Sequence, residues 1–189
     1  MTILQGLAAC GLSLCAAWKG EVGDERQFFT YATASGAWTE QVTTLPGNSS
    51  VGPALAATDL TLYDATQSTL FAAWKGQNSD NRLFFAGFDG TKWHAQQQIL
   101  PGQTGSETDG EPALAVLDGT LYAAWKGVLG DQTLYTSTHS GSSWSTPTTI
   151  GYLSNGDPAL ATLGNNVYAA WRGWDGDPTL SQGVTVLSP

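Results

Sequence analysis

Ala-Ala-Trp-Lys-Gly occurs at Ala16–Gly20, Ala72–Gly76 and Ala123–Gly127, and it recurs at Ala169–Gly173 with Arg172 in place of the lysine. In each copy an aspartate follows the glycine after three further residues, the last of which is glycine or serine. Four copies in one register indicate that a single supersecondary unit is repeated four times along the chain.

The sequence around the pentapeptide repeats as well. Pro-Ala-Leu-Ala precedes copies two to four, and Gly6-Leu7-Ala8 holds the equivalent place in copy one. The pentapeptide tryptophans are 56, 51 and 46 residues apart. Periods of about 40–50 residues with several short strands per unit are typical of propeller blades. We therefore expect one all-β propeller domain over residues 1–189, with repeats at approximately 1–47, 48–102, 103–151 and 152–189.

The third copy shows the expected blade most clearly. Its pattern predicts strands at Pro112–Leu117 and Thr120–Lys126, joined by a hairpin turn at Asp118-Gly119. Alternation places Leu121, Ala123 and Trp125 on one face of the second strand. Both faces are largely apolar, which favours a sheet covered on both sides.

Two further strands complete the expected blade. They are predicted at Thr133–Thr138 and Ser143–Ile150 in copy three, and copy four lacks an equivalent of the last one. Propellers commonly complete one terminal blade with a strand from the other terminus. We expect Thr2–Gln5 to complete the fourth blade, with a shared assembly or a truncated chain as alternatives.

Charge limits the classes of partner. The chain carries 7 Lys and Arg against 16 Asp and Glu, a formal net charge of −9. Nucleic acids and anionic membranes are bound mainly through cationic side chains, so both are disfavoured. No stretch approaches the roughly 20 apolar residues of a membrane span. The apolar segment Thr2–Trp18 aligns with strands of copy three, so we expect no standard signal peptide and a cytoplasmic protein or one exported without such a signal.

The two cysteines align with ordinary core positions of copy three, Cys10 with Leu117 and Cys15 with Tyr122. We expect two buried free thiols, because structural cysteines usually behave as small apolar residues. A cross-strand disulfide in the hairpin is the alternative.

The repeat resembles those of β-propeller, lectin-like proteins of bacteria and mushroom-forming fungi, which are related in architecture to sialidase propellers. The motifs that carry the resemblance are Pro-Ala-Leu-Ala, Leu-Tyr-Ala-Ala-Trp-Lys-Gly, Gly-Asp and Gly-x-x-Trp. It covers essentially the whole chain and implies carbohydrate binding as a class, with no particular sugar.

The first candidate binding groups are the cation of each pentapeptide and the aspartate that follows it. A donor and a charged acceptor at a blade edge could hold sugar hydroxyls. The structural alternative is that each aspartate caps its own loop and each lysine forms a salt bridge with it. These candidates are Lys19 with Asp24, Lys75 with Asp80, Lys126 with Asp131, and Arg172 with Asp177.

Tryptophans form the second candidate set, because sugar C–H faces stack on aromatic rings. We expect those of the pentapeptide to pack between blades with at most an exposed edge: Trp18, Trp74, Trp125 and Trp171. The tryptophans of the outer strands, Trp38, Trp93 and Trp144, are better placed for exposure. Trp174 is unrepeated and lies in a loop, which favours a functional role.

The acids that precede proline, Glu111 and Asp157, are a third candidate set and could equally be solvated loop residues. The sequence gives weaker support for an enzyme. His94 and His139 are the only histidines, and neither lies near a nucleophile in the repeat register. We expect no catalytic residue, no metal and no cofactor.

The sequence therefore predicts a non-enzymatic lectin with several near-equivalent glycan sites, one per blade or blade junction, in a monomer or small homo-oligomer. Its partners would be glycans or glycoconjugates, without nucleic acid or membrane insertion. A protein–protein interaction scaffold is the alternative, and a glycoside hydrolase is a weaker one.

Overall fold

The computed structural model describes residues 6–11, 13–32, 35–40, 43–58, 70–173 and 180–181. These residues form β-strands, turns and connecting segments. They include no helix long and apolar enough to cross a membrane.

The strands fall into four antiparallel sheets that follow one another along the chain. Blade 1 contains β1 (Gly6–Cys10), β2 (Ser13–Lys19), β3 (Arg26–Ala32) and β4 (Thr43–Asn48). Blade 2 contains β5 (Ala54–Ala57), β6 (Leu70–Lys75), β7 (Leu83–Phe88) and β8 (Gln97–Gln98). Blade 3 contains β9 (Ala113–Leu117), β10 (Thr120–Lys126), β11 (Thr133–His139) and β12 (Thr148–Leu153). Blade 4 contains β13 (Ala159–Leu163), β14 (Asn166–Arg172) and β15 (Leu180–Ser181).

The first strand of each blade lies innermost and contacts the first strand of the next, β1 beside β5, β5 beside β9 and β9 beside β13. Strand order within each sheet follows chain order from the inside outward. This is the arrangement of consecutive propeller blades. Within the described residues β1 and β13 do not pack together in the same way. Closure by Thr2–Gln5 lies outside those residues and stays a prediction.

Alternation along the second strands explains why the blades stack. On β10, Leu121, Ala123 and Trp125 are buried against blade 2. Ala124 and Tyr122, from the opposite face of the same strand, are buried against blade 4. The predicted two-sided burial of this strand is confirmed, and each blade needs both neighbours to cover its apolar faces.

The hairpin turn of the third blade has the conformation that its sequence predicts. Asp118 and Gly119 both have positive φ, 49° and 76°. A two-residue turn with positive φ at both positions suits the twist of the strands it joins. The predicted strand Thr120–Lys126 has the predicted bounds.

The outer strands begin later than predicted. β12 starts at Thr148 rather than Ser143, and Trp144 makes only an isolated bridge with His139. In blade 2 the outer strand, β8, has only two residues. The tryptophan ring turns inward at this bridge, so the backbone leaves the sheet edge before pairing resumes.

The expectation of two free thiols is wrong, because Cys10 and Cys15 form a disulfide. The tight β1–β2 hairpin pairs Ala8 with Cys15 and Cys10 with Ser13, which brings the two cysteine Cα atoms to 6.0 Å. That separation is within the normal range for a disulfide. The alternative, a cross-strand disulfide in the hairpin, is confirmed.

Candidate binding site at the blade junctions

The loop after each second strand is held by its own aspartate. Asp80 accepts hydrogen bonds from the backbone amide of Arg82 (3.1 Å) and from the guanidinium of the same residue (2.8 and 2.7 Å). Asp24 and Arg26 repeat these contacts in blade 1. The Arg26 guanidinium and amide lower the pKa of Asp24 to about 2. These carboxylates therefore organise their loops as charged acceptors.

The glycine of the pentapeptide makes room for that carboxylate. A Cβ placed on Gly76 would lie 2.5 Å from Cγ of Asp80, and Gly127 and Asp131 show the same relation. Such separations are too short for real side chains. The fixed glycine–aspartate spacing in the sequence therefore has a packing cause.

The lysines turn toward backbone carbonyls. Lys75 Nζ donates to Ser50 Oγ (2.9 Å), Asn78 O (2.9 Å) and Gly76 O (3.4 Å), and the residue is buried. Burial lowers the pKa of Lys75, opposed by nearby carboxylates of which Asp80 has the largest effect. Lys75 thus ties the loop to the segment that opens its own blade, while the Asp80 carboxylate binds Arg82.

Blade 3 carries a variant of this network. Lys126 Nζ forms an ion pair with Asp109 (2.6 Å) and donates to Gly127 O (3.0 Å). The Asp131 carboxylate accepts from the amide of Thr133 and from the hydroxyl of Tyr135. In blade 4, Arg172 is exposed, and Asp177 and Trp174 lie outside the described residues.

A buried hydroxyl before each opening proline was missed in the sequence. The amides of Ser49, Thr108 and Ser154 each donate to the loop of the preceding blade, at 2.8–2.9 Å. The hydroxyl oxygen of each accepts from the amide two residues on. A serine or threonine four residues before each repeated proline was the available signal.

The two acids before proline lie on the inner side, where the first strands surround a space of about 330 Å³. Glu111 Oε1 accepts from the amide of Gly52 in the preceding blade (3.1 Å). The Asp157 carboxylate in turn accepts from the amide of Glu111. Burial raises the pKa of both acids. Each acid therefore links its blade to the equivalent position of the blade before.

The tryptophans also join blades. Trp74, Trp125 and Trp171 are buried, whereas Trp18 is only partly covered. Trp93 and Trp144 are partly buried, and Trp144 meets Phe85 of blade 2 edge to face at 5.2 Å and 89°. Trp93 meets the equivalent ring of blade 1 at 5.4 Å and 89°. At these two positions the tryptophan rings therefore insert between blades and do not form the exposed aromatic surface that the sequence predicted.

A cleft of about 270 Å³ opens between blades 2 and 3, beside the contact of Trp144 with Phe85. Phe71 and Phe85 of blade 2 and Leu121 of blade 3 give it apolar surface. Its polar groups are His94, His139, Gln97 and Ser142. His139 lies 5.3 Å from the Phe85 ring, and burial lowers its pKa, which favours the neutral imidazole.

The junction of blades 1 and 2 has a cleft at the same place, with about 200 Å³. Strand register makes Phe29 equivalent to Phe85, and Phe88 equivalent to His139. Tyr31 and the disulfide, Cys10 and Cys15, complete much of its lining. The two clefts therefore share a scaffold but differ in polarity.

Within the part of the chain that the structure describes, no group of three or more His, Cys, Asp or Glu side chains could hold a metal ion. His94 lies 3.6 Å from Asp89, and both histidines face the same cleft. These groups can donate, accept and stack, which is the chemistry of ligand binding.

No protein-family profile matches the sequence, and no curated protein matches it significantly. Solved structures do match. AofleA from Arthrobotrys oligospora has a TM-score of 0.68 at 13% identity, covering 93% of this chain and 51% of its own. A variant of the Aleuria aurantia lectin bound to Fucα1-6GlcNAc has 0.60 at 16%, covering 94% and 60%. A fucose lectin from Kordia zhangzhouensis bound to methyl-fucoside has 0.52 at 16%, covering 75% and 91%.

Glycoside hydrolases are also among the matching folds, with TM-scores of 0.56 and 0.53. The chain spans about half the length of AofleA and three-fifths of the Aleuria lectin. Identities of this size establish a shared fold, and the fold that this chain shares is one found in fungal and bacterial fucose lectins.

Proposed function

We propose that this protein is a carbohydrate-binding lectin whose principal glycan site is the cleft between blades 2 and 3. The observation that carries the proposal is the composition of that cleft. An aromatic surface from Phe71 and Phe85 lies beside four polar side chains in a space of about 270 Å³. Sugars present an apolar C–H face and a rim of hydroxyls, which such a surface complements.

The size and the free polar groups support a small ligand. Ligand pockets for drug-sized molecules start at about 300 Å³. This cleft therefore suits a single sugar ring, with the next sugar of the glycan lying outside the cleft. The side chains of Gln97 and Ser142 make no hydrogen bond with another described residue and stay available to hydroxyl groups. The neutral form of His139 can accept or donate one hydrogen bond.

The other candidate positions are engaged in the fold. The loop aspartates accept hydrogen bonds from arginine, threonine or tyrosine residues of their own blade, and Lys75 donates to three oxygen atoms. The acids Glu111 and Asp157 bind backbone amides of neighbouring positions. Groups so occupied are less suited to holding a sugar or attacking one, which favours binding over hydrolysis.

The test begins with a glycan array and continues with calorimetric titration of methyl α-L-fucoside, because solved structures of the same fold carry fucose ligands. Gln97→Ala, Ser142→Ala and His94→Ala change exposed side chains of the cleft. We expect each to weaken binding of the best glycan by about tenfold, roughly 1.4 kcal/mol, with an unchanged melting temperature.

Gln103→Ala is the matched control, since Gln103 is an exposed glutamine outside the cleft. If all three cleft variants keep their affinity while Asp80→Ala or Lys126→Ala loses binding, the glycan site lies at the loops and not in the cleft. Absence of any glycan hit on a broad array would favour the protein-interaction alternative.

A further inference from the structure

The cleft between blades 1 and 2 differs in chemistry from the proposed glycan site. We call it the apolar cleft, and the cleft between blades 2 and 3 the polar cleft. The apolar cleft has a volume of about 200 Å³, and its lining, among the residues that the structure describes, includes no histidine and no acidic or basic side chain. The polar groups of its side chains are the hydroxyls of Ser13 and Tyr31. It therefore offers few partners for a rim of sugar hydroxyls and suits a more apolar ligand.

One wall of the apolar cleft is a cluster of aromatic rings. The Phe29 ring centroid lies 5.3 Å from that of Phe88 and 6.5 Å from that of Tyr31. Trp93 supports the cluster from behind, 5.4 Å from Phe29 and edge to face. Phe29 and Phe88 are both buried, so packing fixes their orientation. A fixed aromatic wall favours a flat apolar ligand, which can stack on a ring or meet it edge to face.

The second strand of blade 1 lacks an aromatic side chain that blades 2 and 3 have. By strand register, Cys15 is equivalent to Phe71 of blade 2 and to Tyr122 of blade 3. Phe71 lines the polar cleft, and Tyr122 packs against blade 4. In blade 1 the same position holds a sulfur of the disulfide with Cys10, which also lines the apolar cleft. A ligand that brings its own ring would supply the aromatic group that this strand lacks.

The two hydroxyls of the cleft are available to such a ligand. The backbone of Tyr31 pairs with Thr39, whereas its side-chain hydroxyl makes no hydrogen bond with another residue of the described chain. The same is true of the Ser13 hydroxyl, at the start of β2. A hydroxyl can both donate and accept, so these two groups suit a ligand with a hydroxyl of its own.

We propose that the apolar cleft is a binding site for a small phenol, an aromatic ring that carries one hydroxyl. An apolar cavity of about 150 Å³ binds benzene, so this cleft has room for a ring with a small substituent. The ring would lie against Phe29 and Phe88 and beside the disulfide, because sulfur makes favourable contacts with aromatic rings. Its hydroxyl would pair with those of Tyr31 and Ser13. The site does not depend on glycan binding in the polar cleft.

An NMR titration with 4-methylphenol tests the proposal, and toluene is the matched ligand that lacks the hydroxyl. We expect saturable binding of 4-methylphenol, with shift changes at the amides of Ser13 and Gly90, which line the cleft. Toluene should bind about tenfold more weakly, because it leaves the hydroxyls of the cleft unpaired.

Tyr31→Phe combined with Ser13→Ala removes both hydroxyls and keeps the aromatic ring. In this double variant 4-methylphenol should lose its advantage over toluene, so that the two ligands bind alike. Tyr152→Phe is the matched control, because Tyr152 is an exposed tyrosine of blade 3 outside the cleft. It should leave both affinities unchanged.

Phe88→His gives the apolar cleft the residue that the polar cleft has at the equivalent position. It should weaken the binding of both ligands, because a polar ring replaces an apolar one in the wall. Melting curves establish that the variant is folded, and the double variant provides the test if it is not.

Absence of saturable 4-methylphenol binding would overturn the proposal, and so would shift changes confined to the polar cleft. Equal affinity of the wild-type protein for toluene would also overturn it. The best glycan of the array, titrated against the same proteins, separates the two sites. Gln97→Ala should weaken the glycan and spare the phenol, and the double variant should do the reverse. Each proposal can therefore fail without the other.

Discussion

The two ends of each blade junction follow opposite rules. At the loop end, the packing of the aspartate on the glycine and the hydrogen bond from the lysine to the glycine carbonyl recur between copies, and they connect groups of the fold to one another. At the cleft end, the contact between a tryptophan and a phenylalanine of the preceding blade recurs. The lining differs, because Phe88 in one described cleft corresponds to His139 in the other. In a repeated fold, the identical positions maintain the blade, and the positions that differ are free to acquire a ligand.

The strongest challenge to this distinction is to remove a loop lysine. Lys75→Ala leaves the oxygens of Ser50, Gly76 and Asn78 without their buried donor. We expect a loss of about 2–4 kcal/mol in the free energy of unfolding, with glycan affinity per folded molecule unchanged. Chemical denaturation and titration measure the two quantities.

Lys19→Ala is the comparison variant, because Lys19 is less buried and should cost less stability. Lost glycan affinity in Lys75→Ala with unchanged stability would make the loop lysine a ligand group and erase the difference between the two ends.

The disulfide offers a test at the cleft between blades 1 and 2. Cys10→Ser with Cys15→Ser opens a short loop, for which the chain-entropy relation gives about 2 kcal/mol of lost stability. If this apolar cleft is part of the scaffold rather than a principal glycan site, affinity should not change. Denaturation of the double variant, with reduced wild-type protein as a second reference, measures the effect.

The sequence was sufficient for the features that depend on local pattern. Alternation gave β10 and its two apolar faces, and the Asp118-Gly119 pair gave its turn. It was insufficient where residues from different blades meet. Phe85 and His139 are distant in sequence, and only the stacking of blades brings their rings to 5.3 Å.

The partners of repeated charges were also beyond a pattern argument. A lysine and an aspartate five residues apart predict a pair, but the structure gives the Asp80 carboxylate to Arg82. The arginine lies two residues after the aspartate, and its planar guanidinium matches the two carboxylate oxygens better than an ammonium does. The disulfide was only the alternative expectation, because the alignment with core positions was given more weight than the cross-strand position of the two cysteines.

The histidine of the polar cleft predicts a smaller, pH-dependent effect. Burial lowers the pKa of His139, so protons bind the unfolded chain more readily than the folded one. Stability should therefore be full above the ordinary pKa of about 6.5 and should fall as the pH drops through the lowered value. Melting temperatures of His139→Phe, which copies the other cleft at this position, should lose that dependence.

His94 faces the same cleft, so the comparison is repeated in a His94→Ala background. His139→Phe should also weaken glycan binding, because it removes a polar group from the proposed site. A pH profile identical to that of the wild type would show that His139 titrates alike in the folded and unfolded chains.

The smallest expected effect belongs to the exposed loop pair of blade 1. The Arg26 guanidinium and amide hold the pKa of Asp24 near 2, below its ordinary value of 3.8. Arg26→Ala should raise that pKa toward the ordinary value, which a carboxyl NMR titration measures directly. The pair contributes to stability above about pH 4, and the contribution is lost as the pH falls toward 2, so wild type and variant should converge in acid. Because both side chains are solvent-accessible and the loop keeps its backbone hydrogen bonds, the difference at neutral pH should be slight and glycan affinity unchanged. A marked fall in affinity would instead place a ligand on this arginine, and the loop end would then carry function as well as structure.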